Sequence, residues 1–181
     1  MKRLFCGAAV IAVCAACGVE VPTAETTIVT EGPEVVSYEP SELLSKTLPE
    51  LSEALAAGEA TAVDLVTAYQ ERIEAVDRNG PTLQSVLALN PDAVEAAEAS
   101  DTRRANGETL GPLDGIPILL KDNIESLDPI ATTAGALALK ENVTGRDSPL
   151  VAGLRAEGAI ILGKTNLSQW ANFRSNDSMS G

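Results

Sequence analysis

Two lysines stand where they could do chemistry, each near the end of an apolar run. Lys121 ends IPILLK, residues 116–121, and Lys164 lies in GAIILGKT, residues 158–165. An amine held without its proton can act as a general base, whereas G-x-x-x-x-G-K-[ST] is the pattern of a phosphate-binding loop. The sequence contains no histidine, which excludes Ser-His-Asp and Cys-His catalysis and every imidazole metal site. Any hydrolytic chemistry must therefore use another base.

The residues around GAIILGKT argue against phosphate binding. In a phosphate loop a strand precedes the first glycine, and the four variable residues form the loop around the phosphates. Here a helical segment precedes Gly158, and the variable residues Ala, Ile, Ile and Leu favour a buried strand. We therefore predict that Gly158 ends a helix, that residues 159–162 form a strand, and that Lys164 and Thr165 open the next helical turn. Nucleotide binding stays as an alternative.

Lys121 ends a run that predicts a central strand covered on both faces. Residues 117, 119 and 121 lie on one side of this strand and residues 116, 118 and 120 on the other, and all before Lys121 are apolar. Its end would lie at the carboxyl edge of the sheet, where α/β enzymes place their chemistry. Loss of hydration disfavours an ammonium, so a lysine kept dry there could serve as a neutral base. We expect Asp122 to face the opposite side, and the alternative for Lys121 is an ordinary surface lysine.

Helix-start and helix-stop signals bound two helices in the first half of the chain. Thr47-Leu48-Pro49-Glu50 has the layout of a capping box, so LPELSEALAA should form a helix that ends at Gly58. A second helix should start at Thr61 and stop at Asn79-Gly80-Pro81. Its predicted buried face consists of Leu65, Tyr69, Ile73 and Val76.

Strands and helices then alternate along the chain. SVLALN, residues 85–90, predicts a buried strand, and Asn90-Pro91 predicts the cap of an Ala-rich helix that ends near Asn106-Gly107. After the strand at residues 116–121, Ser148-Pro149 should start the helix before Gly158. This alternation predicts an α/β fold whose neighbouring strands are parallel.

Residues 1–17 have the layout of an export signal. Lys2 and Arg3 precede an apolar run, and Ala15 and Ala16 precede Cys17. The segment resembles a bacterial lipoprotein signal, which implies lipidation of Cys17 and an exported protein of the periplasm or cell envelope. A signal cut near Ala16 or a short apolar helix are the alternatives. Residues 18–40 are interpreted as a flexible linker, with a short edge strand at residues 27–30 as the competing hypothesis.

The charge of the chain opposes nucleic acid as a partner. Asp and Glu number 26 against 13 Lys and Arg, so no basic stripe is available to replace the counterions of a phosphate backbone. We expect contact with a membrane only through the N-terminal lipid. Nothing in the sequence calls for a metal or another cofactor, and the oligomeric state is not predicted.

Several separated motifs resemble the amidase signature family. They are GPLDGIPILLKDNI, ATTAGA and DSPLVAGLRAEGAIILGKTNLSQWANF, in the family's order and spacing, and the ending QWANFRS is similar to the peptide-amidase-like branch. The resemblance implies that residues 41–181 are the N-terminal portion of an α/β/α domain with a mixed sheet. It also implies an amide-bond hydrolase with a Ser–cis-Ser–Lys triad, in which Lys121 matches the catalytic lysine.

The resemblance leaves parts of the triad outside the sequence. Both catalytic serines of the family lie several tens of residues beyond the equivalent of Gly181, so this chain alone is expected to be inactive and to fold poorly. Ser178 and Ser180 come too early to be either serine, and Ala136 stands where the family often has Ser. Trp170 and Phe173 could line a substrate pocket or belong to the core. The alternative function is a non-catalytic envelope lipoprotein that uses the scaffold as a binding module.

Overall fold

The computed structural model describes residues 38–172, and their secondary structure is of the α/β class. In chain order the helices and strands are α1 (Leu48–Ala57), α2 (Ala62–Arg72), β1 (Val86–Leu89), α3 (Ala93–Ala105), β2 (Pro117–Lys121), α4 (Pro149–Ala156) and β3 (Ile160–Thr165). A π-helical turn, Ile73–Arg78, extends α2 up to the predicted stop, and short 3₁₀ helices occupy Glu42–Ser45 and Leu137–Leu139. Among these residues, none of the helices combines the length and the apolar character that crossing a bilayer requires.

The sheet has the order β1-β3-β2 and is mixed, as the family resemblance implied. Strands β2 and β3 are parallel, with Lys121 opposite Thr165, whereas β1 runs antiparallel to β3, with Leu89 opposite Gly163. The expectation that all neighbours are parallel is therefore wrong for β1. The prediction that IPILLK is the central strand is also wrong for the described sheet, since β3 is central and β2 lies at an edge. Local apolar pattern does not encode strand order, because β1 pairs with a strand more than seventy residues away in sequence.

The predicted starts of α1 and α2 are confirmed, each by a reciprocal cap. The Thr47 N–H donates to Glu50 Oε2 at 2.6 Å, and the Thr61 N–H donates to Asp64 Oδ2 at 2.9 Å. These carboxylates satisfy backbone donors that a helix start leaves free. Helix α1 ends at Gly58, which has a φ of 72°. The caps thus fix where two helices begin and how the chain turns between them.

The start of α3 differs from the prediction. Asn90 does not cap the helix, which begins at Ala93 behind Asp92. The Asn90 side chain instead accepts from the Asp92 N–H at 3.1 Å and donates to the Ile161 carbonyl at 2.8 Å and to Asp128 at 3.0 Å. Buried tertiary partners therefore compete for this amide, and the helix starts two residues later than Asn90-Pro91 indicated.

Apolar side chains cover β3 on both faces. Ile160 and Leu162 belong to a cluster with α2 and α3, while Ile161 packs with Leu120 and with Val151 of α4. Each fully buried side chain of this size contributes about 1.5–3 kcal/mol. Of the predicted inner face of α2, Leu65 and Ile73 are buried, and Tyr69 and Val76 are partly buried. This packing fixes the position of β3 and, through it, the strand end that carries Lys121.

Gly158 forms the turn between α4 and β3, as predicted. Its φ is 88°, and an added Cβ would lie 2.5 Å from the Cα of Asp114. Only glycine accepts both the left-handed backbone and this close approach. The segment GAIILGKT is therefore a helix end followed by a strand, and the expectation that it is not a phosphate loop is confirmed by the order of its elements.

Candidate active site

Lys121 is the last residue of β2 and lies at the carboxyl edge of the sheet, where the sequence predicted it. Its side chain is exposed in the described part of the chain, so the expectation that it is kept dry is not met there. The reason is the edge position of β2. Leu120 packs against α4 on one face, whereas Leu119, 37% exposed, and Lys121 occupy the uncovered face.

Asp122 turns away from Lys121, as expected for neighbouring residues at a strand end. It is buried, and its carboxylate accepts from the Thr133 N–H at 3.2 Å and from the Thr133 hydroxyl. Its backbone carbonyl accepts from the Ala134 N–H at 2.9 Å. Lys121 forms no ion pair within residues 38–172. The amine therefore stands beside a carboxylate that is already engaged elsewhere.

Lys164 lies inside β3 and not in a helical turn, so that prediction is wrong. The strand continues past residue 162 because its last three residues pair with both neighbouring strands. Gly163 permits this, since a Cβ at that position would collide with the carbonyl oxygen of Ala88. The local sequence holds no signal for this extension, because it depends on pairing with β1 and β2.

The ammonium of Lys164 is fully buried and bound by two uncharged oxygens. Its Nζ donates to the Ile124 carbonyl at 2.5 Å and to Thr132 Oγ1 at 2.7 Å. Burial lowers the pKa of Lys164, and the nearby carboxylates of Asp122, Asp128 and Glu125 only partly oppose that effect. Because both acceptors are internal, this lysine is not presented to a phosphate group.

An ion-pair cluster anchors the chain that follows β2. Arg155 of α4 contacts Asp128 at 2.9 Å and Asp147 at 2.9 Å. Burial alone would lower the pKa of Arg155, but the two carboxylates raise it overall. Burial would likewise raise the pKa of Asp147, but hydrogen bonds from Arg155 and the Leu127 N–H lower it overall. The cluster therefore stays charged and holds the far side of the segment between β2 and α4.

A cavity of about 650 Å³ opens next to the end of β2. Residues from the turn after Lys121, from the following segment and from the chain after β3 line it, including Asn123, Ile124, Thr132, Leu150 and Trp170. Trp170 is 54% exposed, so it does not belong to the core, which was one of its two predicted roles. Whether this cavity receives a substrate stays a prediction.

Other predicted residues and segments lie outside the described residues. These are Cys17 with the signal segment, the linker up to residue 37 with the alternative strand at residues 27–30, and Phe173, Ser178 and Ser180. Of the predicted site residues, the structure therefore describes Lys121 at the end of β2 and Trp170 in the lining of the cavity.

Comparison with known proteins identifies the family. The family model described as Amidase matches residues 64–180. The native peptide amidase of Stenotrophomonas maltophilia superposes with a TM-score of 0.72 at 49% identity, covering 76% of this chain and 28% of that one. An amidase family protein of Bacillus anthracis gives 0.70 at 37% identity, with coverages of 77% and 28%.

The chain is also similar to a protein named as an amidotransferase. A glutamyl-tRNA(Gln) amidotransferase polypeptide of Chloroflexus aurantiacus is 42% identical over 132 residues, which are 72% of this chain and 26% of that protein. The chain thus spans about a quarter of the length of the relatives it matches. The family match covers well over half of the 181 residues and includes both β2 and β3. This chain belongs to the amidase family, and its similarity is to the peptide amidase branch.

Proposed function

We propose that this chain supplies the lysine of an amide-bond hydrolase with a Ser–cis-Ser–Lys triad. The observation that carries the proposal is the position of Lys121 at the carboxyl end of β2, inside the segment that the amidase family model matches. The two serines would come from residues that the 181-residue sequence does not contain. Within the 181 residues no histidine is available as an alternative base.

In this mechanism the neutral amine of Lys121 accepts a proton from the bridging cis-serine. That serine takes the proton of the nucleophilic serine, whose oxygen attacks the amide carbonyl while backbone N–H groups hold the oxyanion. The proton then passes to the leaving nitrogen, the C–N bond breaks, and ammonia or an amine departs from an ester-linked acyl-enzyme. Water, deprotonated along the same path, releases the carboxylic acid and restores both serines.

The surroundings of Lys121 suit the role of a base because no described carboxylate pairs with it, but its exposure does not suit that role. No described carboxylate is paired with its ammonium, and the nearest in sequence, Asp122, is occupied by Thr133. A paired carboxylate would stabilise the protonated form and oppose its use as a base. The exposure of Lys121 must however be reduced in the working enzyme, and we expect substrate and the serine-bearing residues to cover it.

The substrate proposed is a small peptide amide or another acyl amide. The peptide amidase at 49% identity supports the peptide class, and the cavity beside β2, with Trp170 on its rim, would hold the acyl side. The acidic excess of the chain does not favour a nucleic-acid substrate.

The test replaces Lys121 in the complete natural protein and measures ammonia released from a peptide amide. Lys121→Ala should lower kcat by about 10²–10⁴-fold, the usual contribution of a general acid–base group, and Lys121→Arg should not restore it because arginine stays protonated. Lys140→Ala is the matched control, since Lys140 is an exposed lysine whose contact is with its neighbour Glu141. Full activity of Lys121→Ala would end the proposal. Substrate binding without turnover in the wild-type protein would favour the binding-module alternative.

The same proposal makes the 181-residue chain inactive on its own, since it lacks the serine pair. Residues 18–181 should release no ammonia above background and should unfold without a sharp thermal transition, because edge strand β2 leaves apolar surface uncovered. Robust turnover or a cooperative transition would contradict this.

We also propose export and lipid attachment through Cys17, on the evidence of residues 1–17 alone. Cys17→Ser should abolish incorporation of labelled fatty acid and release the protein from the membrane fraction of a bacterial host, while Cys14→Ser should not. Equal labelling of the wild type and Cys17→Ser would rule out this anchor.

A further inference from the structure

Lys164 is a buried lysine whose hydrogen-bond partners are both uncharged. Its side chain has no exposed surface, yet within residues 38–172 it forms no ion pair with a carboxylate. Burial of an ammonium is costly unless hydrogen bonds replace its hydration, and two uncharged acceptors replace it only in part. A methionine would fill similar space without that cost. The ammonium is therefore better explained by what its two hydrogen bonds hold together.

The two acceptors lie near opposite ends of one segment, residues 122–135, which we call the clamp loop. Ile124, whose carbonyl accepts from Lys164, comes three residues after Lys121, and Thr132 precedes the turn at Ala134. A single group on the central strand thus ties the outgoing and returning halves of the loop. Loss of the Lys164 ammonium would remove one hydrogen bond from each half, while the Arg155–Asp128 ion pair and the Asp122–Thr133 contact would remain.

Asp122 carries the constraint from the clamp loop to Lys121. Its carboxylate binds Thr133, the neighbour of Thr132, and its own N–H donates to the Thr165 carbonyl at 3.1 Å. Lys121 stands between Leu120, which is buried, and Asp122, which is fixed by these bonds. The backbone direction at Lys121 therefore depends on the loop that Lys164 holds.

We propose that Lys164 is a positioning residue for amide hydrolysis, which holds the clamp loop so that Lys121 points towards the reacting serines. The inference rests on the proposed function, because it concerns the same lysine base. Lys164 does not exchange protons with substrate. Its loss should act on the alignment of the base and hence on kcat, with little change in KM.

The experiment uses the complete natural protein and two kinds of variant. Lys164→Met keeps an unbranched side chain of similar volume and removes its three donors, whereas Thr132→Val removes one acceptor and Thr132→Ser retains it. Thr102→Val is the control, since the Thr102 hydroxyl bonds only within α3, to the Glu98 carbonyl on an exposed face. The readouts are kcat and KM for a peptide amide, and amide hydrogen exchange of residues 122–135.

Lys164→Met should lower kcat about 10–100-fold with KM within about twofold, as for other residues that orient a functional group. Thr132→Val should lower kcat less, Thr132→Ser should return it towards wild type, and Thr102→Val should not change it. Exchange of residues 122–135 should accelerate in Lys164→Met and Thr132→Val, while exchange in α2 and α3 stays unchanged.

The outcomes separate the positioning role from the proposed function. A wild-type protein that hydrolyses no amide ends the proposed function, and the positioning role falls with it. An active wild type combined with full kcat in Lys164→Met overturns the positioning role alone, as does a loss of activity that appears only as a higher KM. If Lys164→Met does not fold, the Thr132 pair decides, and equal kcat in Thr132→Val and Thr132→Ser counts against the proposal.

Discussion

The two ends of the parallel pair β2–β3 bury charge in different ways. At the amino end, Asp114 precedes β2 and has an ionic partner: Arg103 contacts it at 2.8 Å, and Ser100 and the Leu110 N–H also donate to it. At the carboxyl end, Lys164 donates to two uncharged oxygens and forms no ion pair within residues 38–172, and Lys121 at the end of the neighbouring strand is exposed. We call the amino end, with its ionic contact, the amino-end joint. At the carboxyl end one buried lysine is held by uncharged acceptors and another lysine is exposed, and unusual surroundings of charged groups are common where a fold carries a site.

Burial of a lysine in this fold depends on the place of its strand in the sheet and not on its local sequence. IPILLK and AIILGK are both apolar runs that end in lysine, yet Lys121 is exposed and Lys164 has no accessible surface. In the sheet formed by the described residues, β3 is covered on both faces and flanked by two strands, whereas β2 is flanked by one. Stability should therefore respond most to changes at the amino end, and catalysis to changes at the carboxyl end, where Lys121 ends β2 and Lys164 holds the clamp loop.

The largest loss of stability should follow from opening the joint at Asp114. Asp114→Ala leaves Arg103 without its carboxylate and frees the Ser100 hydroxyl, so we expect the free energy of unfolding to fall by about 3–5 kcal/mol. Urea denaturation of the complete natural protein measures it, with Glu71→Ala, an exposed carboxylate of α2, as the control. The kcat per folded molecule should be unchanged. A loss of kcat at full stability would erase the distinction between the two ends.

A smaller loss should come from Gly158, which packs against Asp114. Gly158→Ala places a Cβ 2.5 Å from the Asp114 Cα at a φ of 88°, and we expect a loss of about 1–3 kcal/mol. Gly153→Ala is the matched control in α4. An added Cβ there meets no atom within 4 Å, so the helix should gain about 0.5–1 kcal/mol. Urea midpoints of the two variants should shift in opposite directions, and shifts of the same sign would contradict the packing argument.

The two ends should also respond to opposite limits of pH. Burial alone would raise the pKa of Asp114, but hydrogen bonds from Arg103, Leu110 and Ser100 lower it overall, so its stabilisation is present above about pH 4 and lost in more acid solution. Burial lowers the pKa of Lys164, so the folded protein releases this proton at a lower pH than the unfolded chain does. The contribution of Lys164 to the free energy of unfolding therefore rises with pH until the unfolded lysine also titrates, near about pH 10.4.

Unfolding free energies of wild type, Asp114→Asn and Lys164→Met across pH measure this contrast. The advantage of the wild type over Asp114→Asn should shrink below about pH 4, and its free energy relative to Lys164→Met should rise on the alkaline side. Difference curves that stay flat at either limit would show that the corresponding group keeps its ordinary titration in the folded state.

Sequence alone could predict the features that depend on neighbours along the chain. The caps at Thr47 and Thr61, the glycine turns at Gly58 and Gly158, and the location of Lys121 at a strand end all follow from short-range patterns. These patterns predict local structure because few residue types can accept hydrogen bonds from the free N–H groups of a helix start, and few can adopt a left-handed φ.

The features it missed depend on contacts between distant segments. Nothing within IPILLK reveals that β2 lies at the edge of the described sheet, or that AIIL continues through Lys164 to pair with it. Asn90 has the composition of a helix cap but is taken by Asp128 and Ile161, thirty-eight and seventy-one residues away. Strand order and buried polar pairing are properties of the whole fold, so local patterns cannot determine them.

The smallest stability effect should belong to Lys121 itself. Lys121 forms no ion pair within residues 38–172, so Lys121→Ala should change the free energy of unfolding by no more than about 0.5 kcal/mol even where the serine-bearing residues cover it. Urea denaturation of the same preparations used for kinetics makes this comparison, with Lys140→Ala again as the exposed control. A large drop in kcat at unchanged stability would separate Lys121 from every residue of the amino-end joint. A stability loss of several kcal/mol would instead mean that Lys121 is covered in the complete protein by contacts that depend on its amine, and the fall in kcat could no longer be attributed to loss of a base.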